Sequence, residues 1–183
     1  DTEQDLLLEF KNQLIKKKVM FLTGYNTYQY DSQFLYNRAT KIYHQDSFLN
    51  SGFIRNEKIK LETKVLESSA LGRTELSRMI IPGRVEVDAL MVLRRTAKLP
   101  SYKLNSVCDH YFGGEKDDVT YSDILEAYRT KDRSKLGVIA KYCYQDSFLV
   151  LRLVDKLKEI YNCVQMSDLC TVPLTYILSR GQQ

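Results

Sequence analysis

The chain has 183 residues, 44% of them hydrophobic, 27% charged and 11% aromatic, which is the composition of a globular domain able to bury a core without disulfide support. Three prolines and eight glycines exclude a collagen-like or low-complexity chain. A net charge of +4 permits a nucleic-acid partner without arguing for one, since the longest basic run, Lys16-Lys17-Lys18, sits at a helix end. Residues 5–18 carry Leu7, Leu8, Phe10, Leu14 and Ile15 at helical spacing and predict an amphipathic helix. The apolar run Val19 to Thr23 ends at Gly24 and predicts a strand buried on both faces. Gly24-Tyr25-Asn26 reads as a turn, and a second helix is predicted from Asp31, with Phe34, Leu35, Ala39 and Ile42 inward.

Residues 53–92 change character. Lys58 to Leu66 alternates at period two, Leu76 to Ile81 fits another strand, and Val85 to Met91 follows the Pro82-Gly83 turn as a third. This predicts a small antiparallel excursion, with 53–82 as an accessory β segment that turns Lys58, Lys60, Glu62 and Lys64 to solvent. The remainder is predicted to be helical. Tyr102 to Phe112 is stopped by Gly113-Gly114, Ser122 to Tyr128 is a shorter helix, and Ser134 to Tyr161 is the longest. A last helix is predicted from Ser167, with Pro173 as a point of interruption.

The four cysteines, Cys108, Cys143, Cys163 and Cys170, form no C-x-x-C pair, and the two histidines, His44 and His110, are far apart. This speaks against a zinc site and for reduced, buried thiols in an intracellular protein. No apolar run reaches membrane-spanning length, so no membrane association is expected. The start at Asp1 rather than Met leads us to expect a processed chain or a piece of a longer one.

Two carboxylates stand out. The apolar face of the long helix runs Ile139, Tyr142, Leu149, Val150, Leu153, Leu157, and Asp146 shares it, one turn beyond Tyr142. A charge on such a stripe is costly unless it is paired, hydrogen-bonded or bound to a metal. An ion pair with an arginine or a half-exposed helix edge is the plainer account. Asp31 follows a strand, a glycine turn and the aromatic cluster Tyr25, Tyr28, Tyr30. Ligands gather at the carboxyl ends of buried strands, although helix capping alone also favours Asp there.

Together these segments resemble family B DNA polymerases. Residues 24–31 (Gly-Tyr-Asn-Thr-Tyr-Gln-Tyr-Asp) with Gln33 to Ala39 are similar to the family's second exonuclease motif, and Tyr142-Cys143-Tyr144-Gln145-Asp146 to its third, Tyr-x-x-x-Asp. Gly83 to Asp88, Ser101 to Val107 and Ser179 to Gln183 also look like family segments, so the resemblance runs the length of the chain. The Gln-Asp-Ser form around Asp146 leans toward polymerases of large DNA viruses, herpesvirus-like ones included, over the delta type.

The resemblance implies an α/β, RNase H-like 3'→5' exonuclease domain, a mixed sheet flanked by helices. Residues 167–183 would begin the connection toward the palm, and the opening strands would be missing. It implies two divalent ions, Mg²⁺ with Mn²⁺ as a substitute, held by carboxylates that include Asp31 and Asp146. Those two would lie within roughly 4 to 8 Å of each other across a two-metal centre. Tyr142 would orient the attacking water, and Asn26 and Tyr30 would position a single-stranded 3' primer end. The implied partners are DNA, the rest of the polymerase chain and a processivity factor, in the nucleus or a host nucleus. Asp1-Thr2-Glu3 matches the Asp-x-Glu of the first motif in letters only, since no apolar strand precedes it, and it reads as an acidic helix start. Glu86 and Asp88 share one face of a strand and read as structural. The palm motifs of polymerisation are not in the chain. Two other readings compete: a non-catalytic exonuclease-like module that binds nucleic acid or scaffolds, and a stand-alone nuclease using Asp1-Thr2-Glu3.

Overall fold

A computed structural model describes residues 2–68, 72–113 and 119–180. Asp1, Gly114 and residues 181–183 of the segments named above lie outside the described residues. The chain divides into two units, one up to Met91 and one from Val92.

In the first unit, α1 (Glu3–Lys16) starts at a capping box. The Asp5 amide donates to Thr2 Oγ1 at 3.2 Å, and the Thr2 amide donates to Asp5 Oδ2 at 2.8 Å. Glu3 meanwhile accepts from Arg38 and from the Tyr43 hydroxyl, so the acidic start of the chain is engaged in helix entry and in an ion pair. β1 (Phe21–Gly24) follows, then a loop, then α2 (Asp31–Asn37), which runs on into a π-helical turn, Arg38–Ile42. The register of one apolar stripe is lost at that turn. Ala39 is buried, but Phe34 and Ile42, expected inward, are exposed.

β2 (Lys60–Ser68) and β3 (Gly72–Ile80) pair antiparallel as a hairpin, with Lys60 opposite Ile80 and Lys64 opposite Leu76. β4 (Val85–Asp88) does not extend that hairpin. It pairs parallel with β1, Phe21 opposite Val85 and Gly24 opposite Asp88. Among the described residues the mixed sheet is therefore absent, and two separate two-stranded sheets stand in its place. Among the described residues β1 has β4 as its one partner strand, and its residues are half-buried and not enclosed on both faces.

The core of this unit is Leu7, Ala39, Phe48, Leu49, Ile59, Met79 and Ile81, with Phe10 stacked on Phe48 at 6.5 Å. Arg84 is buried beside it. Its Nε donates to the Ser51 carbonyl at 2.8 Å, and its guanidinium lies 4.0 Å from the Phe53 ring. The preceding Gly83 has φ +77°, and a Cβ there would meet Phe53 Cβ at 2.9 Å, so the turn into β4 requires glycine.

The sequence reading carried β4 on to Met91. The strand ends at Asp88 because that side chain caps a helix, α3 (Ala89–Thr96). In the second unit α4 (Leu104–Phe112) ends at Gly113, φ +61°, and α5 (Tyr121–Thr130) opens on a Thr120–Asp123 capping box. α6 (Arg133–Leu157) is the long helix. It stops short of Tyr161 because Lys158 turns left-handed, φ 53°, and α7 (Glu159–Cys170) begins there. The helical stretch expected from Ser167 is interrupted where Pro173 stands, since α7 ends at Cys170 and Thr171 turns left-handed, φ 55°. Pro173 precedes α8 (Leu174–Arg180), where a missing amide is harmless. Cys108 and Cys163 are buried thiols, whereas Cys143 and Cys170 are exposed.

Phe48→Ala should lower the opening free energy of the amides around this core by about 3–5 kcal/mol, read by native-state hydrogen exchange. A change below about 1 kcal/mol would show that Phe48 does not anchor the unit.

Candidate active site

The corner between β1 and α2 is shaped by its sequence. A Cβ on Gly24 would lie 2.3 Å from Thr27 Cγ2, so any larger residue there would force the Thr27 side chain to move. Asn26 takes a left-handed conformation, φ 66°, which asparagine tolerates well. The loop is held from β4. Asp88, 2% exposed, accepts the amides of Asn26 at 2.9 Å, Tyr28 at 3.1 Å and Leu90 at 2.9 Å. Two positions back on the same face, Glu86 accepts from Ser32 Oγ at 2.6 Å and from the Met79 amide at 3.1 Å. Burial raises the pKa of both carboxyl groups above the ordinary range, and the hydrogen bonds oppose that rise. Burial, with the charges of Glu86 and Asp88, also pushes the Tyr28 phenol well up. Its hydroxyl donates to the Glu86 carbonyl at 2.8 Å.

This frame presents Asn26, Tyr30 and Asp31 together. Asp31 is the first residue of α2 and Tyr30 the cap, without a side-chain cap bond, so the capping account of Asp31 is set aside. The residue is exposed, yet partial withdrawal of its carboxyl group from water, aided by the Asp88 charge, raises its pKa. Tyr30, 62% exposed, stacks on Phe34, 44% exposed, at 5.5 Å and 14° between planes. The sequence reading turned Phe34 inward and missed this aromatic platform beside Asp31.

Tyr142 and Asp146 lie in the second unit, one turn apart on α6 and both half-buried. They share a stripe with Val150 and Leu153, which are buried. Each unit thus carries its own part of the expected residue set: Asn26, Tyr30 and Asp31 on one corner, Tyr142 and Asp146 on one helix face.

Among the described residues no group of three or more His, Cys, Asp or Glu side chains is gathered to hold a metal ion. Asp88 is committed to backbone amides and Glu86 to Ser32 and Met79. The donors described here do not by themselves make up a metal centre.

The family described as "DNA polymerase family B, exonuclease domain" matches residues 1–107, and the chain belongs to it. Over an aligned stretch of 184 positions that takes in 100% of this chain, it is 36% identical to the DNA polymerase delta catalytic subunit of Oryza sativa subsp. japonica. It is 38% identical over 183 residues to that of Candida albicans and 38% identical over 162 residues to that of Drosophila melanogaster. Those two matches take in 99% and 88% of this chain. The chain spans 15 to 17% of the length of these relatives. They are a plant, a yeast and an insect protein, and they lend no support to the viral leaning taken from Gln145-Asp146-Ser147.

Asp88→Ala leaves three amides without their acceptor, at a cost of about 1–3 kcal/mol for a buried orphaned group. Amide exchange at Asn26, Tyr28 and Leu90 should accelerate accordingly, and unchanged exchange would contradict the clamp. Glu86 gives a pH signature. A carboxyl group whose pKa is higher folded than unfolded adds stability below its unfolded value, about 4.3, and loses it as pH rises through the folded value. Glu86→Gln should therefore gain stability relative to the parent protein as pH rises above about 4.3. A pH-independent difference in denaturant midpoints would contradict the raised pKa.

Proposed function

We propose that this chain contributes the proofreading 3'→5' exonuclease of a replicative, delta-type, DNA-directed DNA polymerase acting in the nucleus. The observation that carries the reading is the corner at Asp31: an exposed carboxylate on a rigidly clamped helix start, flanked by an exposed aromatic stack. An unpaired 3' base stacks favourably on such rings, by about 1–3 kcal/mol per base. Tyr30 and Phe34 would receive the frayed end, and Asn26 would border it on the loop.

Asp31 and Asp146 would each offer a carboxylate to a divalent-ion pair, Mg²⁺ or Mn²⁺, with further ligands from the parent chain. Such ions supply Lewis-acid activation of water and charge neutralisation at the leaving oxygen. The raised pKa of Asp31 suits that role, because an ion-free carboxylate partly withdrawn from water gains most from a cation. Tyr142, one helical turn from Asp146, would hold the attacking water by its hydroxyl. The proposed accessory role of 53–82, the connection from 167–183 toward the palm and a processivity partner belong to the same reading. Polymerisation chemistry falls to the palm, outside this chain.

Excision of a mismatched primer end and extension of a matched end, assayed on one preparation of the intact parent polymerase, test this. Asp31→Ala and Asp146→Ala should each lower excision by orders of magnitude. Tyr142→Phe should lower it by about 10- to 1000-fold, the span of one positioned hydrogen bond. Extension should survive all three. Unchanged excision in Asp31→Ala or Asp146→Ala would sink the assignment.

A further inference from the structure

We propose that Glu86 is a positioning residue for excision, a latch that fixes the first turn of α2, and with it Asp31, to the base of the β2–β3 hairpin. This rests on the exonuclease reading given above.

The first turn of α2 is tied to its own loop by the main chain alone, the Ser32 amide donating to the Thr27 carbonyl at 3.0 Å. Its cap, Tyr30, makes no side-chain cap bond, so any side-chain hold on the helix start comes from another element. Glu86 supplies that hold with both carboxylate oxygens. Oε1 accepts from Ser32 Oγ at 2.6 Å, and Oε2 accepts from the Met79 amide at 3.1 Å. Ser32 directly follows Asp31 and is 1% exposed, so its hydroxyl has no solvent to turn to instead. A second tie runs alongside. The Ser77 amide donates to the Tyr28 carbonyl at 2.6 Å, and the Tyr28 hydroxyl donates to the Glu86 carbonyl at 2.8 Å. Ser77 and Met79 are alternate, buried positions of β3 on one face. Hairpin, strand β4 and helix start therefore meet at the Glu86 side chain, and the loop meets its carbonyl. Displacing a reacting group by about 1 Å is enough to cost on the order of 100-fold in rate, which gives such a latch kinetic weight.

The chemistry separates a latch from a ligand. A glutamine at position 86 can accept the Met79 amide with its oxygen and donate to Ser32 Oγ with its nitrogen, because a hydroxyl both donates and accepts. Alanine can do neither. A latch survives Glu86→Gln, whereas a metal ligand or proton carrier does not.

The test uses the intact parent polymerase, a single-stranded DNA and a primer with a mismatched 3' end. Single-turnover excision, DNA affinity, matched extension and amide exchange over 25–34 and 76–80 are measured on each variant. Glu86→Ala should slow single-turnover excision by about 10- to 100-fold and speed exchange in both segments, with DNA affinity and extension unchanged. Glu86→Gln should restore excision and protection.

Ser32→Ala removes one end of the latch with little change in volume. It should slow excision by itself, and Ser32→Ala combined with Glu86→Ala should be no slower than Glu86→Ala alone. Wild-type excision in Glu86→Ala, a Gln variant as defective as Ala, or independent multiplication of the two losses would each overturn the latch. Asp31→Ala serves as reference. An inactive Asp31→Ala beside a fully active Glu86→Ala removes the latch only, whereas an active Asp31→Ala removes the exonuclease reading beneath it.

Discussion

A single buried carboxylate sets the geometry on which the rest of the first unit depends. Asp88 receives amides from both sides of the β1–α2 loop and from the start of α3. Charge-assisted bonds of this kind are about twice as strong as neutral ones. A carboxylate withdrawn from water is tolerated only when donors of this quality surround it. Asp88 thus ends a strand, opens a helix and shapes a loop at once. With Glu86 beside it, β4 acts as a rail on which the Asp31 corner is mounted.

The corner has the properties of a site kept ready for a ligand. Its frame is rigid, and its presented groups are exposed. Tyr30 and Phe34 stack on each other at the surface, and Asp31 stands next to them with a carboxyl group less acidic than usual. The second unit carries Tyr142 and Asp146 one turn apart on the half-buried stripe of a 25-residue helix.

Much of this was legible in the sequence, for reasons of period and spacing. The 3.6-residue repeat marked α1, α4 and α6, and the glycine turn before an acidic helix start marked the Asp31 corner. Asp146 was visible as a charge on an apolar stripe. The parts that were not legible share a cause: they depend on what meets a residue across space. Period two placed Glu86 and Asp88 on one face but did not reveal which backbone amides that face would meet. It also let β4 run on to Met91, because Asp88 as a helix cap competes with strand continuation only through a local hydrogen bond. The break at Lys158 carries no glycine or proline signal, so the long helix read through it. Phe34 fitted an inward stripe, but it stacks on Tyr30 at the surface, a pairing that helical period does not reveal.

The central claim is that the clamped Asp31 corner and Asp146 serve one divalent-ion centre in the parent enzyme. Anomalous diffraction from crystals of the intact polymerase, grown with Mn²⁺ and a single-stranded 3' end, tests it most directly. The account predicts manganese density within about 2.0–2.6 Å of carboxylate oxygens of both Asp31 and Asp146, with the terminal base against Tyr30 and Phe34. Manganese bound with Asp31 turned away, or bound only by carboxylates outside this chain, would contradict it.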